Sequence, residues 1–138
     1  MSDTTQQAET IVKTWLTQLV ETASERDHQA HMNLISKKIN LIGVPGFESI
    51  GFDDWSNQVQ HEFGIGLIDD IQYQGLMIRA ANDERIMFIT HETIVANDGT
   101  QKQQGIECLL DKEDDGQWRL THQRVLGEEE TAQYLAKL

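Results

Sequence analysis

The chain has 138 residues, a length that suits one domain with a single buried core. Apolar residues make up 38% and charged residues 25%, which excludes a disordered chain, and no apolar run approaches the roughly 18 residues of a membrane span. The 23 Asp and Glu against 11 Lys and Arg leave a net charge of −12, a surface that repels phosphate backbones and anionic lipid, so neither nucleic acid nor membrane is expected as a partner.

Cys108 stands alone, so no internal disulfide can form, and Met1-Ser2-Asp3-Thr4-Thr5 lacks the basic then apolar pattern of a secretory signal. The cytoplasm is the expected location. The first segment carries Ala8, Ile11, Val12, Trp15, Leu16, Leu19, Val20 and Ala23 at spacings of three and four, one apolar stripe on a helix of about five turns. Thr4 and Gln7 read as its capping box. Asp27 caps a second, short helix through about Ile35, with Ala30, His31, Leu34 and Ile35 on its inner side. Lys38 to Val44 reads as a strand, Pro45-Gly46 as a turn, and Glu48 to Ile50 as a short return strand. Phe52, Trp55, Val59 and Phe63 mark a third helix over 51–63, with Gly64 as its left-handed C-cap.

Four strands follow, over 71–80, 85–95, 103–111 and 117–126, with Gly75 as a bulge in the first. Asn97-Asp98-Gly99 and Asp114-Asp115-Gly116 close the last two hairpins. Glu128 to Leu138 is a final helix whose acidic first turn suits the helix dipole. Helices gathered before a run of strands argue a single α+β domain, 1–138, in which a curved antiparallel sheet wraps the first helices and leaves a concave side.

Tight hairpins set Phe88 opposite Leu110, Glu92 opposite Ile106, and Ile106 opposite His122. One face then carries Phe88, Thr90, Glu92, Ile106, Cys108, Leu110, Trp118, Leu120, His122 and Arg124, and is assigned to the helices and a pocket. The other carries Met87, Ile89, His91, Val95, Leu109 and Val125 among polar residues. So large an apolar patch argues a homodimer paired through the outer sheet face.

Several segments together resemble the nuclear transport factor 2-like superfamily. They are Glu25-Arg26-Asp27 ending a helix, the strand Ile39-Asn40-Leu41-Ile42-Gly43, the helix opened by Gly51-Phe52-Asp53-Asp54, and Asp115-Gly116-Gln117-Trp118-Arg119-Leu120-Thr121-His122-Gln123. The last is similar to the ending of its SnoaL-like members. The resemblance covers nearly all of residues 5–126 and leaves 127–138 as an appended helix. It implies a cone-shaped, cystatin-like α+β fold, usually dimeric, with a pocket between helices and sheet. Functions of its members range from isomerase, cyclase and dehydratase chemistry to protein transport without catalysis, so only the site can decide. The base and the phenol of its ketosteroid isomerases fall at Leu41-Ile42-Gly43-Val44 and near Leu19, which offer neither group.

On the residues themselves, Glu92 and His122 flank Ile106 about one strand apart, with Cα atoms roughly 9–10 Å apart. A buried Glu beside a His is an acid–base pair suited to lyase or isomerase chemistry. Arg124 would hold an anionic group, or pair internally with Glu92. Trp15, His31, Trp55, Phe63, Phe88 and Cys108 complete the expected ligand-binding wall, with Tyr73 at its mouth. His28 and His31 stand three apart on a short helix, but no third ligand has metal-site spacing, and neither metal nor cofactor is expected. Three functions stay open: a binder of a small apolar or weakly anionic molecule, a lyase or isomerase using His122 and Glu92, and a non-catalytic dimeric interaction module whose cone is filled by its own side chains.

Overall fold

The computed structural model describes residues 2–137. Helix α1 (Ser2–Glu25) buries the stripe its sequence lays out: Ala8, Val12, Trp15, Leu16, Leu19 and Ala23 all join the core. It is already helical at Ser2, so Thr4 lies inside the first turn and does not cap it. Asp27 does cap α2 (His28–Met32), its carboxylate accepting from the Ala30 N–H at 3.1 Å. This helix is shorter than the sequence suggests, because the Leu34 carbonyl is taken by the Trp15 indole N–H at 3.1 Å and the Leu120 N–H at 3.1 Å. Those bonds pull the chain into strand β1 (Ile35–Ile42) three residues earlier than expected.

The expected return strand at 48–50 is a single bridge between Leu41 and Ile50. Helix α3 (Phe52–Ile65) runs two residues past Phe63, and Gly66, at φ 64°, takes the left-handed C-cap position in place of Gly64. Its N–H and that of Leu67 close on the carbonyls of Phe63 and Glu62. Four strands complete the sheet: β2 (Ile68–Ala81), β3 (Arg85–Ala96), β4 (Gln101–Lys112) and β5 (Trp118–Val125), followed by helix α4 (Glu128–Leu135).

The sheet order is β1-β5-β4-β3-β2; β2 to β5 form an antiparallel meander, and β1 joins β5 in parallel at one edge. Gly43, just past β1, has φ 85°, and a Cβ there would sit 2.5 Å from the Val125 carbonyl oxygen, so only glycine lets the chain leave the sheet this close to β5. Gly75, at φ 73°, sits in the β2 bulge between Gln74 and Met77, as its sequence position suggested. The concave face is covered by α1, α2 and α3. Val12, Ile86, Phe88, Ile106, Cys108, Leu110 and Leu120 are each at most 2% exposed there and form one continuous core.

Candidate functional site

Two hairpin registers decide which side chains face inward. The β3–β4 loop spans four residues, with the Ala96 N–H bonded to the Thr100 carbonyl at 2.8 Å. This places Phe88 opposite Cys108, Thr90 opposite Ile106 and Glu92 opposite Gln104. The register is shifted by two residues from the tight-turn expectation, and an even shift leaves every side chain on its expected face.

The β4–β5 hairpin behaves differently. Leu110 pairs with Leu120, but Leu109 pairs with His122, so Thr121 and His122 together oppose one residue. This is a β-bulge, and it inverts the facing of everything after it. Thr121 is anchored by the Leu109 carbonyl at 3.2 Å and the Asp111 carboxylate at 2.7 Å. Gln123, opposite Cys108, enters the core at 8% exposure. His122 goes outward, into a surface cleft with Lys38, Arg85, Leu109 and Thr121.

The sequence-based pairing of His122 with Glu92 is therefore corrected: the two lie on opposite faces of the sheet. Arg124 is corrected with it. It pairs with Glu107 at 3.3 Å and Glu130 at 3.0 Å on the outer side, which raises its already high pKa further and leaves Glu92 without the arginine partner the sequence allowed.

Glu92 remains inside, 8% exposed, and its partners are neutral. The Tyr73 hydroxyl donates to one carboxyl oxygen at 2.8 Å and the Gln104 amide to the other at 2.9 Å. None of the ion pairs found among the described residues includes it. Burial pushes the Tyr73 phenol well above its ordinary pKa, and the neighbouring Glu92 adds to the shift, so Tyr73 is a hydrogen-bond donor at neutral pH. The Cys108 thiol is likewise pushed well up, by burial first and then by Glu92 and Glu107. It sits 3.7 Å from the Gln123 amide oxygen, a protonated core thiol with no nucleophilic character.

The other expected wall residues divide clearly. Trp15, His31, Phe63, Phe88 and Cys108 are buried in the core, and Trp55 packs half-buried against it. Trp15 meets Phe88 edge to face at 6.5 Å, and His31 meets Phe63 the same way at 5.3 Å. His31 Nδ1 bonds the Thr22 hydroxyl at 2.8 Å, while His28 Nε2 turns to Ser56 at 2.9 Å, so the two imidazoles serve separate contacts. Burial, with a smaller push from His28, lowers the His31 pKa from 6.5 to about 4, so it is neutral in the fold. Among the described residues no three His, Cys, Asp or Glu side chains converge on one point.

Gln104 and Gln123 escaped the sequence reading. The Asn97 to Thr100 segment carried a usable signal for the first, since a four-residue loop sets Gln104 opposite Glu92. The Thr121–His122 bulge carries no glycine or other local mark.

Two surface clefts accompany this packed core. One of about 1130 Å³ runs between α2, β1 and α3, lined by His28, Met32, Ile35, Phe52 and Ser56 among others. Another, of about 950 Å³, is the outer-face cleft that holds His122.

The sequence profile of the SnoaL-like domain family matches residues 12–125. No curated relative matches the sequence. An NTF-2-like protein of unknown function from Shewanella oneidensis superposes with a TM-score of 0.69 at 15% identity, covering 85% of this chain and 97% of that one. A scytalone dehydratase candidate from Novosphingobium aromaticivorans gives 0.67 at 11% identity, covering 91% and 87%. A cystatin-like domain of unknown function from Nostoc punctiforme gives 0.67 at 13% identity, covering 94% and 83%. At such identities the likeness is one of fold, which agrees with the sheet order and the helices described above. The chain belongs to the SnoaL-like domain family, within the nuclear transport factor 2-like superfamily.

Proposed function

We propose that this protein binds a small, largely apolar molecule bearing one hydrogen-bonding group, on the inner sheet face beside Glu92. The observation that carries the reading is the Glu92 carboxyl itself, buried and held by two neutral donors, Tyr73 and Gln104, with no ion-pair partner among the described residues. Burying an acid without a counter-charge is unfavourable, and apolar side chains of similar volume serve stability better. Such a group is retained at a site where it meets something else. Tyr73 and Gln104 are only half-buried, so a ligand donor reaches the carboxyl by displacing one of them. The weakly anionic ligand expected from the sequence loses its support, because Arg124 faces the other way.

A second reading, a non-catalytic interaction module, is favoured by the packing. Phe88, Trp15 and Phe63 already fill the cone, and the two clefts open at the surface. Native mass spectrometry of the purified chain separates the two. The ligand reading predicts a small-molecule adduct that leaves on acid denaturation and falls at least tenfold in occupancy in Glu92→Leu, still folded by circular dichroism. Adduct-free protein, together with unshifted inner-face NMR signals across a library of small apolar alcohols, amines and carbonyl compounds, would contradict the ligand reading and support the module.

A further inference from the structure

The groups around Glu92 sort by what they can give it. The Tyr73 hydroxyl and the Gln104 amide each donate one hydrogen bond, to different carboxyl oxygens, at 2.8 and 2.9 Å. A carboxylate has about four acceptor sites and no donor of its own, so two neutral partners leave it half satisfied. Its negative charge is felt by its neighbours: Glu92 adds to the upward push that burial gives the Tyr73 phenol and the Cys108 thiol. The remaining surroundings are apolar or already committed. Ile94 is the next inward residue on β3, Ile71 pairs with Ile94, and Ile106 pairs with Thr90, whose hydroxyl donates to the Gly75 carbonyl.

The basic side chains that could answer this charge are placed elsewhere. Arg124 is on the outer face with Glu107 and Glu130, and His122 is in the outer cleft. His31 is bonded to Thr22 and packed on Phe63. Lys102 stands two residues along β4 from Gln104, on the same side of the strand, but it is exposed and its charge acts on Glu62 of α3. Within the chain, the inner carboxylate therefore keeps neutral partners only.

We infer that the hydrogen-bonding group of the ligand is a primary ammonium, so that the protein takes apolar amines in preference to alcohols. The inference rests on the ligand reading above and narrows it. A ketone or ester brings only acceptors to a group that is itself an acceptor, and an acid brings a second negative charge. An alcohol brings one donor. An ammonium brings three donors and the opposite charge, and such charge-assisted bonds are roughly twice as strong as neutral ones. The net charge of −12 also draws cations toward the chain and turns anions away.

The test uses matched primary amines and alcohols on three skeletons, benzyl, cyclohexylmethyl and hexyl, titrated into the full chain at pH 7. Salt at about 0.15 M screens the general pull of the acidic surface beyond roughly 8 Å. Amide NMR shifts at Tyr73, Glu92 and Gln104 report binding on the inner face. At least one amine is expected to bind tenfold or more tightly than its alcohol. In Glu92→Gln, which keeps an acceptor of the same shape and gives up the charge, that ratio should fall below threefold. An amine bound no more tightly than its alcohol, with inner-face shifts from both, would overturn the ammonium assignment and leave the ligand reading standing. This comparison needs only the wild type. A tenfold preference retained in folded Glu92→Gln would also overturn it, by placing the cation on another carboxylate. No inner-face shift with any of the six compounds would overturn the assignment and the ligand reading together.

Discussion

Phe88→Ala is expected to lower the unfolding free energy by about 3–5 kcal/mol, the range for removing a large aromatic side chain from a close-packed core. Phe88 is 0% exposed, on β3, opposite Cys108 and edge-on to Trp15 at 6.5 Å. The lost contacts include that aromatic pair, worth roughly 0.5–1.5 kcal/mol beyond its area. The neighbours cannot close the gap easily, because α1 stands against one side of Phe88 and the sheet against the other. Urea unfolding measures the loss, with the midpoint moving and the slope unchanged. A loss under about 1 kcal/mol would mean that the cone is not packed around this ring. The variant also leaves an apolar hole in the core. Restored stability on adding benzene would show that the hole lies inside the fold.

Stability should also fall steeply between pH 6.5 and pH 4 because of one residue. His31 is 6% exposed, and burial lowers its pKa from 6.5 to about 4. Above pH 6.5 it is neutral in both states and its burial costs nothing in protonation. As pH falls through 6.5 the unfolded chain takes up a proton that the folded chain refuses, so stability is lost progressively until the folded state also protonates near pH 4. A gap of this size corresponds to about 3 kcal/mol, lost on acidification and constant below the lower value. Carboxylates such as Asp111, whose pKa is lowered by its bonds to Arg85 and Thr121, add their own acid sensitivity. The useful comparison is therefore with His31→Gln, which retains a hydrogen-bonding group toward Thr22 and does not titrate. Unfolding curves at successive pH values should show a flatter slope for His31→Gln in this window. Parallel slopes for the two proteins would mean that His31 is not buried neutral.

The architecture was readable because its elements carry strong periodic signals. The α1 stripe at spacings of three and four and the Asp27 cap each state one local preference that the fold follows, and the chain turns at both Asp-Gly pairs, in loops longer than the tight turns expected there. Errors arose where a tertiary contact overrides a local signal. Leu34 and Ile35 continue a helical pattern, but the Trp15 indole and the β5 backbone claim them for the sheet edge. Gly64 looks like a C-cap, yet Val59 and Phe63 pack well enough to carry α3 two residues further.

The candidate site was half readable for a more specific reason. Facing in a strand has period two, so it survives the two-residue shift in β3–β4 and fails at the one-residue bulge in β4–β5. Glu92, Phe88 and Cys108 kept their places for that reason, while His122 and Arg124 changed sides and Gln123 came in. The bulge depends on Thr121 meeting Asp111 and the Leu109 carbonyl across the strand, a pairing that no local pattern announces.

The same bulge sets the company Glu92 keeps, since it removes His122 and Arg124 from the inner sheet face and leaves a carboxyl, a phenol and two amides there. Thiol labelling of the folded chain tests it most directly, because the native Cys108 is 1% exposed and gives a silent background. His122→Cys, half-exposed in the outer cleft, should react readily with a maleimide, and Gln123→Cys should be slower by at least two orders of magnitude. A protected Cys at 122 beside a reactive one at 123 would put the histidine back inside and contradict the account.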